Sequence, residues 1–555
     1  EDLFLSQWLP DEALSKLQKI VPLTDNIALC VGLPIKFEDE LYNTTAFIAD
    51  RKVLGIYAKQ KLANDGVHYE HRWFKGWHPT KIVEFSLEGE NIPLGHITIN
   101  YKGVNIGFEI CEDAWQENRP CELLHDPVDL ILNPSASHFE FGKAQFREEL
   151  VVKSSQQFNC IYLYTNLLGN EAGRMIYDGD VLIAQRGKLI GRNHRLWFHD
   201  YRILSVEVDL DGGASEVNVR PQYQTHFEEF THAASLALFD YMRKSRSKGF
   251  VLSLSGGADS STIATLIASS VKITLEQLGF EEFERKCGFK LNGNDAKSIT
   301  KQLLTTAYQA TKNSSEATFN SAKSLAESIG STFYNWSIEE GLNKYKTTIE
   351  AAIERPLTWE SDDVTLQNIQ ARARSPIIWM LANIENKLLL ATSNRSEGDV
   401  GYATMDGDTS GSISPIAGVS KHFILQWLKY AEEELGFYGL KEVNKLTPTA
   451  ELRPEKQHQT DEEDLMPYEV LMKIEREAIL HGKSPKMVFC SLENEYEPND
   501  LKQWIRKFYS LWTRNQWKRE RYAPSFHFDD FNIDPRSWYR FPILSGGYIE
   551  ELEEL

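Results

Sequence analysis

Along the first part of the chain, apolar residues come in short runs broken by polar turns. Ile27-Ala-Leu-Cys-Val31 is one such run, closed by Gly32. Thr45 to Ile48 and Val53 to Tyr57 flank the polar turn Ala49-Asp50-Arg51-Lys52, and His96 to Tyr101 and Val104 to Ile110 flank Lys102-Gly103. Asp180 to Ile190 alternates around Arg186-Gly187. Alternation interrupted by tight turns predicts three hairpins. Val128 to Asn133 and Cys160 to Tyr164 are further apolar strands, with a helical stretch near Ala144 to Gln157 between them. The region from about Asn26 to Leu210 therefore reads as mixed α/β with many antiparallel pairs.

The pattern changes near Asp209 to Gln222, where Asp211-Gly212-Gly213 signals a turn and Val219-Arg-Pro-Gln222 is polar and extended. Beyond it, His226 to Lys248 has helical spacing, Phe250 to Leu254 is a short strand, and Ser260 to Val271 is a helix. Leu303 to Ala307, Glu316 to Ile329, Thr365 to Ile384 and Lys387 to Thr392 continue the alternation. Alternating strands and helices predict a doubly wound parallel sheet. From about Pro454 the chain is charged and aromatic-rich and shows no clear period. The expected division is 1–212, a linker at 213–225, a second domain at 226–480 and an extension at 481–555.

Composition narrows the function classes. The formal net charge is −20, which argues against a general nucleic-acid binder. No apolar run approaches the ~18 residues of a membrane helix, and no basic leader opens the sequence. The six cysteines are scattered without a CxxC pair, which reads as reduced thiols in a cytoplasmic protein. No Cys/His cluster has zinc-ligand spacing.

Chemistry concentrates in two places. The first is Leu252-Ser-Leu-Ser-Gly-Gly-Ala-Asp-Ser-Ser261, a strand that runs into two glycines and then a helix. Gly256 and Gly257 let the backbone approach a ligand, and a helix N-terminus offers free N–H groups to an anion. Ser255 and Ser260 add hydroxyls. Asp259 makes sense in an anion site if Mg2+ sits between it and phosphate, with Glu397 as a second carboxylate. A plain Gly-rich turn with Asp259 or Ser260 as N-cap is the competing reading. Asn368 and Arg372 lie four apart and share a helix face, though Arg372 alone reads as a solvated charge.

The string SGGADS resembles the PP-loop of ATP pyrophosphatases, enzymes that cleave ATP at the α-phosphate; no Walker Gly-Lys-Ser/Thr follows. SLSGGADSS, TAYQATKNSSEAT from Thr306, NIQARAR from Asn368, TSNRSE from Thr392, SPIAGVSK from Ser414, PTAEL from Pro448 and QTDEED from Gln459 together resemble NAD synthetases. The resemblance implies that Ser255, Gly256, Gly257, Asp259, Ser260 and Thr392 bind ATP. It implies that Asn368, Arg372, Asp408 and Lys421 contact the deamido-NAD or ATP side, and that Asp259 and Glu397 hold Mg2+.

The second place is Ile106-Gly-Phe-Glu-Ile-Cys-Glu-Asp-Ala-Trp115, where a strand delivers Cys111 into a polar segment. A cysteine made thiolate by a neighbour is a nucleophile, but a lone strand-end cysteine is more often a core residue. ICEDAW, the KQKLANDG stretch from Lys59, His68-Tyr-Glu-His-Arg-Trp-Phe74 and Asn133-Pro-Ser-Ala-Ser-His138 together resemble the nitrilase-type glutaminase of glutamine-dependent NAD synthetases. That resemblance implies an α-β-β-α sandwich with Cys111 as nucleophile, Lys59 as oxyanion stabiliser and Glu70 as supporting glutamate. Ser137 and Lys143 fall at glutamine-binding positions, with Lys143 where some relatives carry arginine; Lys61 reads as solvated. The family's general-base glutamate belongs to a motif that would precede residue 1, so that segment is expected upstream of the sequence given.

The combined expectation is ATP-dependent synthesis of NAD from deamido-NAD, with ammonia supplied by L-glutamine hydrolysis and passed between the sites. A cytoplasmic homo-oligomer without nucleic-acid or membrane partners is expected. Alternatives are an ammonia-only NAD synthetase with an inactive first domain, another PP-loop amidotransferase, and a nucleotide-sensing scaffold.

Overall fold

The three predicted hairpins organise the N-terminal part of the chain. Glu40–Ala49 pairs antiparallel with Lys52–Ala58, and both turn residues, Asp50 and Arg51, have φ of 50° and 61°. Two positive φ values give a turn whose twist matches the strands it joins. Ile99–Tyr101 with Val104–Phe108, and Val181–Gln185 with Lys188–Arg192, are the other two.

The computed structural model describes residues 2–171, 173–210, 212, 222–446, 452–453, 460–529, 531, 533–535 and 539–555. It divides into two units, Glu1–Ala172 with Tyr177–Gln224, and Gly173–Ile176 with Thr225–Leu555. Most of the expected linker at 213–225 lies outside the described residues, as do Pro448 to Glu451 of PTAEL and Gln459 of QTDEED.

The first unit holds two principal sheets. The five-stranded sheet runs Ala28–Phe37, Glu40–Ala49, Lys52–Ala58, Glu90–Gly95, Ile82–Leu87 in spatial order. The six-stranded sheet runs Lys188–Arg192, Val181–Gln185, Ile161–Asn166, Leu130–Ser135, Val104–Phe108, Ile99–Tyr101. Strand alternation sends successive side chains to opposite faces. Phe47, Ala49 and Tyr57 of the first sheet share a core with Ile106, Phe108 and Leu132 of the second. Ala46, Ile48, Ile56 and Ala58 point the other way and pack with Leu17 of the helix Leu9–Ile20. On the far face of the second sheet, Ile131, Tyr162 and Tyr164 pack with Val151 of the helix Lys143–Gln157. The layers are helix, sheet, sheet, helix, the α-β-β-α sandwich expected.

The second unit holds a parallel sheet in the order Thr332–Ser337, Leu304–Ala310, Phe250–Ser253, Leu388–Leu390. From Phe250–Ser253 the chain winds outward to one side twice and then returns to the other side. The switch point lies between Phe250–Ser253 and Leu388–Leu390, and ligands bind beyond the carboxyl ends of strands at such a point. Val251, Ala307 and Leu389 pack against Ile378 and Ala382 of the helix Trp359–Glu385.

The reading of no clear period beyond Pro454 is corrected. Pro498–Arg514 is a helix burying Leu501, Ile505, Phe508, Tyr509 and Trp512, a spacing of four, three, one and three that forms one helical stripe. Aromatic and charged residues crowd the stripe's flanks and obscure it. Together with Tyr468, Leu471 and Val488 it forms a core that includes Val400. Among the described residues no helix is long and apolar enough to cross a membrane.

Candidate active sites

Lys59 directly follows the strand Lys52–Ala58, and Cys111 begins a short 3-10 turn, Cys111–Ala114, just past the strand Val104–Phe108. The two strands belong to facing sheets, so the sandwich itself brings these residues together. Cys111 has φ 48°, a left-handed conformation unfavourable for a residue with a Cβ. Such strain survives only where surrounding bonds over-determine it, and it concentrates at functional positions.

Lys59 is 2% exposed and pairs with Glu70 Oε2. Glu70 is itself fixed by Asn43 Nδ2, which donates to Oε1 at 2.8 Å, and by Ala63 N, which donates to Oε2 at 2.7 Å. Burial alone would lower Lys59, but the charges of Cys111 and Glu70 outweigh it and hold the ammonium above its ordinary pKa. Burial raises the Cys111 thiol and Glu70 adds to the rise, against the opposing pull of Lys59. Lys61 is half-buried rather than fully solvated, and its backbone N–H is engaged.

Ser137 is buried and its backbone is gripped at both ends by Asn166, which accepts from Ser137 N at 2.9 Å and donates to Ser137 O at 2.8 Å. The buried Arg147 donates to Ser137 O at 3.3 Å and His138 O at 2.9 Å. Lys143 opens the helix Lys143–Gln157, with its Nζ 3.0 Å from His138 Nε2 and 3.3 Å from Glu140. Asp65, His68 and His138 place one ligand atom each within 4.8 Å of one another, a cluster that sequence spacing gave no sign of. Its groups also pair among themselves: His68 Nδ1 lies 3.1 Å from Asp65 Oδ2. Asn43, Asn166 and Arg147 were likewise not singled out from the sequence, because Asn43 and Asn166 act from strands remote in the chain and Arg147 from the helix that follows Ser137.

In the second unit, the loop after Phe250–Ser253 folds on itself. Ser255 Oγ lies 3.1 Å from Ser260 Oγ, and Gly257 N donates to Ser255 Oγ at 3.3 Å. Gly256 has φ +83°, and a Cβ there would lie 2.1 Å from Thr318 O, so only glycine fits. The helix Ala258–Cys287 starts here without a side-chain cap, two residues before the Ser260 start read from the sequence. Its first N–H groups are of the kind that can donate to an anion.

Thr392 is half-buried in the loop after Leu388–Leu390, on the other side of the switch point. Asn394 in that loop serves two elements. Its Oδ1 accepts from Glu397 N at 3.0 Å, capping the helix Arg395–Val400, and its Nδ2 donates to Asp259 Oδ1 at 3.1 Å. Lys421 pairs with Asp259 Oδ2 and lies 3.6 Å from Glu397 Oε1. The fold thus joins Asp259, Glu397 and Lys421. Two carboxylates held around one ammonium form a hard oxygen donor set that already accommodates a cation.

Asn368, Arg372 and Asp408 meet on a second wall. Thr404 Oγ1 donates to Asn368 Oδ1 at 2.8 Å, Thr404 N donates to Asp408 Oδ2 at 2.8 Å, and Arg372 Nε donates to Met405 O at 2.9 Å. The C-terminal segment reaches the same loop. Asn515 donates to Val400 O at 2.7 Å, Lys518 to Gly401 O at 2.7 Å and Ala403 O at 2.8 Å, and Arg519 to Asp399 O at 2.7 Å. These three side chains satisfy carbonyls at the end of the helix that carries Glu397. The first residue of that helix, buried Arg395, pairs with Glu475 at 2.5 Å and Asp529 at 2.7 Å. Burial pushes the Glu475 carboxyl up to about 7.

A carbon-nitrogen hydrolase family model matches residues 2–215, and an NAD synthase model matches residues 231–521. A glutamine-dependent NAD(+) synthetase from Oryza sativa subsp. indica is 29% identical over 96% of this chain and 83% of that protein. The Homo sapiens glutamine-dependent NAD(+) synthetase is 26% identical over 94% of this chain and 85% of its own length. The crystal structure of a glutamine-dependent NAD(+) synthetase from Cytophaga hutchinsonii is 50% identical, with a TM-score of 0.89, covering 100% of this chain and 91% of that one. With a hydrolase sandwich, a parallel nucleotide-type sheet, and relatives that span almost the whole of it, the chain belongs to the glutamine-dependent NAD(+) synthetases.

Proposed function

We propose that the chain converts deamido-NAD to NAD at the Ser255–Ser260 and Asp259–Glu397–Lys421 site, using ammonia that Cys111 releases from glutamine. In this division residues 1–212 are the glutaminase, 226–480 the synthetase, and 481–555 an extension that buttresses the Glu397 helix. The observation that carries the glutamine-dependent reading is the half-buried Cys111, held at positive φ beside the buried Lys59–Glu70 pair. A merely structural cysteine needs neither strain nor a charged neighbour.

In the glutaminase, the Cys111 sulfur attacks the glutamine carboxamide carbon. Lys59 supports the oxyanion that forms. The C–N bond breaks, ammonia leaves with a proton, and water hydrolyses the thioester to glutamate. Glu70 already accepts from Lys59, Ala63 and Asn43, so it orients Lys59 and does not shuttle the proton. Ser137 and Lys143 receive the amino-acid end of glutamine, Lys143 pairing with its carboxylate.

In the synthetase, the loop glycines and the helix start hold the ATP phosphates, with Ser255, Ser260 and Thr392 as hydroxyl donors. The deamido-NAD carboxylate attacks the α-phosphorus and pyrophosphate leaves. Ammonia then attacks the resulting acyl adenylate, AMP departs, and the amide forms. Asp259 and Glu397 would hold Mg2+, which supplies charge neutralisation to the triphosphate. Lys421 offers a second positive charge beside it. Asn368, Arg372 and Asp408 receive deamido-NAD. A cytoplasmic homo-oligomer with reduced thiols completes the proposal.

The test is NAD formation from deamido-NAD, ATP and Mg2+ with glutamine or with ammonium, in wild type and Cys111→Ala. Cys111→Ala should lose glutamine-driven synthesis by more than about 1000-fold and keep ammonium-driven synthesis. Failure with ammonium in both proteins would refute the substrate assignment; ammonium alone working in the wild type would favour the ammonia-only alternative.

A further inference from the structure

Asp113 stands two residues after Cys111 and is fully buried. Its carboxylate accepts from both halves of the glutaminase site. Oδ1 accepts from Gln60 N at 3.1 Å and Lys61 N at 2.8 Å, the two residues that follow Lys59. Oδ2 accepts from Ile110 N at 2.9 Å, the residue before Cys111, and from Tyr57 OH at 2.9 Å, two residues before Lys59. One carboxylate therefore ties the Lys59 end of one sheet to the Cys111 end of the other.

The apolar contacts between the sheets do not do this. Burial of apolar area is non-directional, so it holds the sheets together without fixing their offset to fractions of an ångström. Hydrogen bonds to a carboxylate fix distance and direction together. The arrangement has a cost. Burial pushes the Asp113 carboxyl up to about 6, so its ionised form is held against desolvation. A residue chosen for stability alone would be apolar here.

We propose that Asp113 is a positioning residue of the glutaminase, which sets the separation of the Lys59 ammonium from the Cys111 sulfur through its bonds to Gln60, Lys61, Ile110 and Tyr57. The inference rests on the reading of Cys111 and Lys59 as nucleophile and oxyanion partner. Asp113 touches no reacting atom in this scheme. It acts through the backbone on either side of the two residues that do.

The test uses Asp113→Asn and Tyr57→Phe in the full protein, with three measurements. These are glutaminase kcat and KM, the pH profile of Cys111 alkylation by iodoacetamide, and ammonium-driven NAD synthesis. Asp113→Asn puts an amide N–H against N–H donors. It should lower glutaminase kcat about 100-fold, the scale of an ångström-sized misplacement, with KM changed less than about 3-fold. With Lys59 no longer fixed near the sulfur, the alkylation midpoint should rise by about one pH unit. Ammonium-driven synthesis should not change. Tyr57→Phe removes one bond and should lower kcat roughly 5-fold at constant KM.

Wild-type kcat and an unmoved alkylation profile in Asp113→Asn would overturn the proposal. If Cys111 in Asp113→Asn instead reacts like an ordinary exposed thiol, the domain has opened. Tyr57→Phe then decides: a kcat loss at constant KM upholds the positioning role, and unchanged kcat overturns it. If Cys111→Ala leaves glutamine-driven synthesis intact, the underlying reading fails. If Cys111→Ala abolishes it while Asp113→Asn keeps wild-type glutaminase kcat, only the positioning role fails.

Discussion

The two candidate sites are built in different ways. Lys59, Glu70, Cys111 and Asp113 lie within one stretch of chain and are held largely by bonds to backbone groups in the segments that follow two strands, such as Ala63 N, Ile110 N and Lys61 N. Asp259, Glu397 and Lys421 span 162 residues, from Asp259 to Lys421, and meet through side-chain pairs on loops beyond a parallel sheet. A site that makes a covalent bond with a small substrate needs its nucleophile aimed, and strand ends on a packed sandwich supply that rigidity. A site for a nucleotide and a dinucleotide needs loops that offer N–H groups and charges over a wide surface. There, Asn394, Asn515, Lys518 and Arg519 supply the order that strands supply in the first unit.

Breaking the two sites should therefore give different signatures. After Cys111→Ala, the largest effect is expected from Gly256→Ala. A Cβ at φ +83°, 2.1 Å from Thr318 O, must push the loop open. Synthesis with glutamine and with ammonium should fall together, by roughly 100-fold or more, and thermal stability should drop by about 1–3 kcal/mol. An active Gly256→Ala enzyme would show that the loop does not grip phosphate.

Glu397→Gln probes the charged trio. Synthesis from either nitrogen source should fall about 10–100-fold as a Mg2+ ligand is lost, while glutaminase turnover stays unchanged. A selective loss with glutamine alone would break the assignment of the two sites.

Lys143→Ala sharpens the comparison from the other side. The KM for glutamine should rise about 10-fold as one charge-assisted bond goes, with ammonium-driven rates untouched.

The smallest effect concerns pH. The Cys111 thiol lies above its ordinary pKa, chiefly through burial. Only the thiolate is alkylated, so in the free enzyme the alkylation rate should keep climbing past the ordinary thiol midpoint. Lys59 lowers that pKa, so Lys59→Met should move the profile further up. A downward shift would mean that Lys59 does not face the sulfur.

Much of this was legible before the fold was known, for identifiable reasons. The hairpins at Asp50-Arg51, Lys102-Gly103 and Arg186-Gly187 were readable because turn residues and alternation are local signals. The SGGADS loop was readable because a strand, two glycines and a helix start must be adjacent in sequence to cradle an anion. Cys111, Lys59 and Glu70 were found through the resemblance of their motifs, since a lone strand-end cysteine carries no signal of its own. The helix Pro498–Arg514 was missed because aromatic residues on its flanks blurred its stripe.

The sequence by itself determined the period of each segment, the places where the backbone must turn, and the residue types available for chemistry. These depend on interactions between near neighbours in the chain. Tertiary structure alone decided that Asp113 joins two sheets, that Asn394 serves both Glu397 and Asp259, that Lys421 lies with Asp259, and that Asn515, Lys518 and Arg519 close the helix of Glu397. Apart from the local links of Asp113 to Ile110 and of Asn394 to Glu397, each of these is a directional bond between groups far apart in the chain. No local pattern encodes it, because its geometry exists only once the sheets and helices have packed.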